Sequence, residues 1–356
     1  MEFGPFDEQT FSDLGDEGNW QLLVNEVNRH LPEVSDLLQE FSFIPSWRID
    51  DVMVTYAPEG GTVGPHVDSY DVFLLQGSGR KRWSIENRRT SADREDARNL
   101  PDLDVRVLGD FKGAQEWVLE PGDALYLPPR IAHHGVSLDK DCMTYSIGFR
   151  SPSLQEMVTL FADKVADETP ADAFYEDPDL CKQANPGAID KQAVSRAKAM
   201  LKEALVGALD DQWAFEEWFG QHVTTSRRDH TDYPPALDPE ELSMGAQPSP
   251  SAVVEAVKRT DPSTLAAGAG PFVYRAEGLV FAYLRHEGDD KGTTLFVDGK
   301  KFHLPSHLTF AAQLVCASPR LSPEDLHGPL TGRHSGEVAQ LLQKLLLGGY
   351  LYAADD

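Results

Sequence analysis

Cysteine, basic residues and long apolar runs are all scarce in this chain, and each scarcity closes off a class of protein. Three cysteines (Cys142, Cys181 and Cys316) in 356 residues are too few, too scattered and odd in number for a disulfide framework or a cysteine-ligated zinc cluster. A reducing, cytoplasmic setting is expected. Lys and Arg total 32 against 58 Asp and Glu, a formal net charge of −26. That deficit of cations argues against a broad grip on phosphate backbone, so no direct DNA binding is expected. It favours a basic partner through long-range attraction and serves solubility equally well; both uses stay open. No apolar run is long enough to span a bilayer. The first seven residues have neither the basic nor the apolar region of a signal peptide, so no membrane association is expected.

What is present changes character along the chain. Residues 1–50 are mixed, with helical apolar spacing over Trp20–Val27 and Pro32–Leu38. From about Ile49 the chain reads as short strands: Val52–Tyr56, Val72–Leu75, Arg82–Ile85, Gln115–Leu119, Ala124–Leu127 and Met143–Phe149. Gly, Pro and Asp turns separate them, the punctuation of a sandwich or barrel. After Ser153 three helical runs follow, carrying Leu154 to Val165, Ile189 to Leu205 and Trp213 to Phe219. Helices this apolar on one face must pack on the barrel or on a second subunit. Thr231–Ser251 is Pro-rich and acidic and reads as a linker. The remainder mixes strands and helices, with Asp298-Gly299 as a hairpin turn. The expectation is an α+β chain in three parts: a β-barrel over 1–152, a helical region over 153–235, and a linker with a small winged-helix-like domain over 236–356.

Two motifs carry chemistry. Gly64-Pro65-His66-Val67-Asp68-Ser69-Tyr70-Asp71 places an imidazole and a carboxylate two residues apart, on one face of a strand. The glycine-rich approach Glu59–Pro65 brings backbone close to that face. A distant Pro121-Gly122-Asp123 turn feeds a strand that leads to His133 and His134. Neighbours on extended backbone face opposite ways, so one of that pair is expected to ligate. Two histidines and one carboxylate are the ligands of an open non-haem Fe(II) site. Such a site needs a two-electron co-substrate to use O2. 2-Oxoglutarate would chelate the metal and leave a distal carboxylate in want of a cation. Lys81, in Gly79-Arg80-Lys81-Arg82-Trp83, faces opposite to Arg80 and Arg82, and an inward cation in a barrel is costly unless paired.

These residues resemble the JmjC-type ribosomal oxygenases. The likeness rests on His66–Gly77 with Gly79–Trp83, on Phe43–Asp51, on Leu119–Asp123, on Tyr145–Arg150, and on Trp218-Phe219-Gly220 and Gly348-Gly349-Tyr350. It covers nearly the whole chain. The nearest branch is bacterial and hydroxylates an arginine of ribosomal protein L16. The resemblance implies a double-stranded β-helix of the cupin/JmjC jelly-roll kind, a helical homodimerisation region and a C-terminal winged helix. It implies Fe(II) on His66, Asp68 and His133, favouring His133 over His134. It also implies 2-oxoglutarate on Lys81, with Thr55, Thr144 and Ser146 as further contacts, and a basic L16 substrate. Glu59, Tyr70 and Asp71 are candidates to meet the target side chain at the mouth. The rivals are a histidyl hydroxylase of another ribosomal protein, a JmjC demethylase and a non-oxygenase metal cupin. Trp47, Trp83 and Trp117 read as core, and the histidines beyond residue 134 read as scattered, without ligand spacing.

Overall fold

The structure is a computed structural model that describes residues 4–14, 20–101, 106–182, 184–225, 249–260, 270–288 and 291–354. The chain divides into two compact units, Met1–Ser151 and Pro152–Asp356. The expected linker Thr231–Ser251 lies outside the described residues up to position 248.

The first unit is two facing sheets with three short helices, α1 (Glu8–Asp13), α2 (Pro32–Leu37) and α3 (Ala92–Arg98). One has the order β1 (Leu22–Val24), β2 (Ile49–Ala57), β9 (Cys142–Phe149), β4 (Asp71–Ser78), β7 (Ala124–Leu127). The other runs β3 (His66–Val67), β8 (Ile131–Ser137), β5 (Lys81–Arg89), β6 (Gln115–Leu119). All pairings are antiparallel. Alternation sorts each strand between two environments. On β4, Phe73 and Leu75 face outward onto a cluster built from Val27, Val34 and Phe41 of the N-terminal segment with Ile147 and Phe149. Val72 and Leu74 face inward onto Trp83, Leu119 and Leu127 of the barrel core.

Two sequence expectations fail here. Trp20–Val27 is not helical: it gives β1 and a 3₁₀ turn over Val27–Arg29, because the edge of β2 offers it a ladder from Leu22↔Tyr56 to Val24↔Val54. Tertiary pairing overrides a helical spacing read over only eight residues. Trp117 is 39% exposed, since among the described residues β6 is an edge strand of its sheet.

The second unit begins with α4 (Leu154–Glu168), α5 (Lys191–Asp210) and α6 (Gln212–Thr224). Phe161 of α4 meets Phe215 and Trp218 of α6 edge-on. Gly220 of α6 leaves room for the Phe296 ring. That ring belongs to the sheet β11 (Phe281–Arg285), β12 (Thr293–Val297), β13 (Lys300–Leu304), whose Asp298-Gly299 turn has positive φ at both residues. Helices α7 (Pro250–Arg259), α8 (Thr309–Ala317), α9 (Pro323–Thr331) and α10 (Ser335–Leu347) share one core with this sheet and with β10 (Phe272–Arg275), β14 (Arg320–Leu321) and β15 (Leu351–Ala354). No described helix is long and apolar enough to cross a membrane.

Candidate metal centre

His66 and His133 are cross-strand partners on β3 and β8, and Asp68 follows β3 directly. One donor atom from each of the three lies within 4.8 Å of the others. The two rings are 4.3 Å apart, and His133 Nε2 is 3.5 Å from Asp68 Oδ2.

Backbone carbonyls fix both tautomers. His66 Nδ1 is 3.0 Å from the Gly64 oxygen, and His133 Nδ1 is 3.0 Å from the Ile131 oxygen. A carbonyl only accepts, so each Nδ1 carries the proton and each Nε2 keeps its lone pair for a metal. Gly64 aims its carbonyl from a φ of +88, and a Cβ there would press within 2.9 Å of Val107, so both backbone and space call for glycine. Burial, reinforced by the neighbouring His66 ring, pushes His133 down to about 3. Burial raises the Asp68 carboxyl, partly offset by His66. Two imidazoles that present Nε2 and a desolvated carboxylate with converging donors fit a divalent cation, which would supply the counter-charge the carboxylate lacks. His134 faces the other way, with Nε2 3.1 Å from Thr62 Oγ1 and its ring edge-on to Phe111.

Lys81 opens β5 and is 3% exposed. Its ammonium sits 5.0 Å from the Trp83 ring, and among the described residues no carboxylate pairs with it. Burial pushes the amine down to about 8, against a smaller opposing pull from the Cys142 thiol. Its neighbours in sequence are accounted for: Arg80 pairs with Asp139 at 3.0 Å and Arg82 lies 3.9 Å from Glu116. Lys81 is thus a desolvated cation lacking an anion, the condition a dicarboxylate would relieve.

The larger sheet offers a polar row. Thr55, Thr144 and Gln76 are aligned across β2, β9 and β4, with Ser146 one step further along β9. All four are buried. Thr144 Oγ1 donates to Gln76 Oε1 at 3.1 Å, and Gln76 Nε2 is anchored on the Ser78 and Gly79 carbonyls.

The mouth candidates separate. Tyr70 is 40% exposed, and its phenol is raised by burial and by the carboxylates of Asp68, Asp51 and Asp50, so it stands in an acidic setting. Glu59 is exposed on the loop after β2. Asp71 is already engaged: Tyr126 donates to it at 2.6 Å and Arg48 lies at 3.4 Å. Its carboxylate is therefore partly used by the fold before any incoming side chain arrives.

Three residues escaped the sequence reading. Arg130 clamps the ligand segment: its N–H donates to the Asp68 carbonyl at 2.7 Å, while its guanidinium lies 3.3 Å from Ser69 Oγ and 2.7 Å from Glu95. It does so from a φ of +70, strain that a non-glycine residue keeps only where its surroundings over-determine it. Nothing in the sequence marks that conformation. Gly135 lies opposite Trp83, and a Cβ there would come within 2.7 Å of that ring and 2.9 Å of Lys81 Cε. Gln76 could have been found, since alternation from Val72 and Leu74 places it inward.

Comparison with known proteins agrees with this geometry. The JmjC domain family matches residues 36–157. The ribosomal protein uL16 3-hydroxylase of Escherichia coli K12 is 36% identical over 244 residues, 68% of this chain and 62% of that protein. The chain spans less than two thirds of the length of the first curated relatives it matches, 62% and 54%. The crystal structure of E. coli YcfD superimposes with a TM-score of 0.72 at 30% identity, covering 99% of this chain and 82% of that one. YcfD in complex with cobalt and 2-oxoglutarate gives a TM-score of 0.69 at 28% identity, with the same coverage. On its barrel, its converging His66, Asp68 and His133 and this near end-to-end likeness, the chain belongs to the JmjC-domain family that includes the ribosomal oxygenase YcfD.

Proposed function

We propose that this protein is an Fe(II)- and 2-oxoglutarate-dependent oxygenase that hydroxylates an arginine side chain of ribosomal protein uL16. The observation that carries the reading is a buried Lys81 ammonium, with no carboxylate partner among the described residues, in one barrel with the His66, Asp68 and His133 donors. The iron and co-substrate supply the oxidation of an unactivated C–H bond by O2, with 2-oxoglutarate decarboxylated to succinate. The chain does the rest. His66 and His133 present fixed Nε2 lone pairs. Lys81 donates to the distal carboxylate of 2-oxoglutarate. Thr55 and Thr144 offer hydroxyls, the second oriented by Gln76. Trp83 and the inward face of β4 exclude water. Tyr70 and the acidic setting around it receive the guanidinium. Glu59 is the second mouth candidate. A chain of net charge −26 draws in a basic ribosomal protein.

The same reading makes the protein a cytoplasmic homodimer. Helix α5 buries none of its residues within the chain and exposes Leu201 at 66% and Val194 at 56%, a face suited to a second copy. The C-terminal helices and sheets are read as a winged-helix-like domain that makes protein contacts. Sedimentation of the full chain tests the dimer: a monomer at micromolar concentration would contradict it.

The functional test is direct. Anaerobically reconstituted Fe(II) protein receives 2-oxoglutarate, O2 and a uL16 peptide, and tandem mass spectrometry reads the product. One added oxygen on arginine, lost in Asp68→Ala, is expected. 2-Oxoglutarate turnover without modification of that peptide would keep the oxygenase and discard the substrate, with histidine-bearing ribosomal peptides next. Absence of both iron binding and 2-oxoglutarate turnover would sink the reading.

A further inference from the structure

The histidines beyond residue 134 are not all scattered. His307 lies in the 3₁₀ turn Ser306–Leu308 ahead of α8, His334 caps α10, and Glu337 sits in the first turn of α10. His307 Nε2 is 3.0 and 3.1 Å from the two Glu337 oxygens, and His334 Nδ1 is 3.2 Å from Oε2. The rings face each other with centroids 4.3 Å apart. One donor atom from each of the three lies within 4.8 Å of the others.

Those spacings suit an ion. A tetrahedral ion bonded at about 2.0–2.2 Å to N and O holds neighbouring ligand atoms roughly 3.3–3.5 Å apart, so the cluster needs little adjustment. The ligand set is two imidazoles and one carboxylate, which suits zinc-class ions rather than magnesium or calcium. The side chains are 41%, 30% and 46% exposed. An ion can therefore enter, and water can complete its coordination. Without an ion, solvent screens exposed imidazole–carboxylate pairs, a weak reason for two rings to converge on one carboxylate. The N-terminal end of α10 opposes a cation, and Glu337, itself in the first turn, offsets this.

We propose that His307, His334 and Glu337 form a second metal site for a zinc-class divalent cation. The ion ties the turn before α8 to the start of α10, two segments well separated in sequence. Its role is a structural staple on the C-terminal core, independent of the oxygenase reading, because its ligands lie in the other compact unit from His66, Asp68 and His133.

The experiment uses the full chain, stripped of metal and titrated with Zn(II) against a chromophoric chelator, with a thermal melt at each step. Wild type is expected to bind one equivalent more than the His307→Ala/His334→Ala double variant and one more than Glu337→Gln. Asp68→Ala is expected to lose a different equivalent and to keep the zinc-dependent rise in melting temperature of the second unit. Far-UV circular dichroism verifies that the exposed substitutions leave the fold intact. The site is overturned if the double variant and Glu337→Gln take up as much zinc as wild type. It is equally overturned if all uptake disappears in Asp68→Ala. Failure of the iron site would show only in Asp68→Ala, so the two claims fail separately.

Discussion

Replacing Lys81 by Met should make the metal-free protein more stable and the enzyme inactive. The ordinary lysine amine titrates at 10.5, and burial brings Lys81 down to about 8. At about 1.4 kcal/mol per pH unit, holding this ammonium charged in the fold costs roughly 3 kcal/mol. The sign follows from protons bound. Above pH 10.5 the amine is neutral folded and unfolded, and there is no cost. Between 10.5 and about 8 the unfolded chain binds the proton first, so the cost grows as pH falls; below about 8 it is complete. Methionine has similar length and no charge, but it forfeits the contact with the Trp83 ring, worth about 0.5–2 kcal/mol. A net gain of about 1–2 kcal/mol remains at pH 7, which in a unit of this size raises Tm by roughly 2–8 °C. The gap between variant and wild type should close as pH approaches 10. 2-Oxoglutarate affinity should fall about 10–100-fold with loss of a charged hydrogen bond of roughly 1.5–3 kcal/mol. Paired melts and 2-oxoglutarate titrations across pH decide it. A variant less stable than wild type at pH 7, or one that binds 2-oxoglutarate unchanged, would refute the reasoning.

The other expectations concern supports of the site. His133→Ala should abolish iron binding, whereas His134→Ala should leave it within about threefold, measured by anaerobic Fe(II) titration; equal losses would mean the adjacent pair was misassigned. Arg130→Ala keeps the backbone N–H on the Asp68 carbonyl but removes the guanidinium that lies against Ser69 and Glu95, and should weaken iron binding about 10–100-fold, with the fold retained by circular dichroism; unchanged affinity would show the clamp to be incidental. Gly135→Ala forces a methyl against Trp83 and Lys81 and should destabilise by about 1–3 kcal/mol while raising the KM for 2-oxoglutarate, read by chemical denaturation and initial rates. Wild-type 2-oxoglutarate affinity should decline as pH rises through about 8, where the Lys81 ammonium loses its proton, and a flat profile to pH 9.5 would contradict its role.

Much of the barrel was legible because its signals are local. Gln115–Leu119 and Ala124–Leu127 coincide with β6 and β7, bounded by turns that any chain must obey. Alternation alone set Lys81 on the face opposite to Arg80 and Arg82. What the sequence hid was set by distance along the chain. Arg130 adopts its conformation only because Asp68, Ser69 and Glu95 surround it. His334 and Glu337 are one helical turn apart, but His307 reaches Glu337 from the turn before α8, and nothing in the sequence announces that third member. Asp71 looked available as the residue after Tyr70, but Arg48 and Tyr126, remote in sequence, take its carboxylate. Trp20–Val27 failed for the same reason, since only the edge of β2 decides between helix and strand.

The most direct test of the oxygenase claim follows both atoms of O2. Fe(II) protein with 2-oxoglutarate, the uL16 peptide and doubly ¹⁸O-labelled O2 is quenched and analysed for succinate and peptide. One heavy oxygen in succinate and the other in the arginine side chain, in equal amounts and absent from Asp68→Ala, is the expected result. Oxygen drawn from water, or a peptide modified without matching succinate, would contradict an oxygenase built on His66, Asp68, His133 and Lys81.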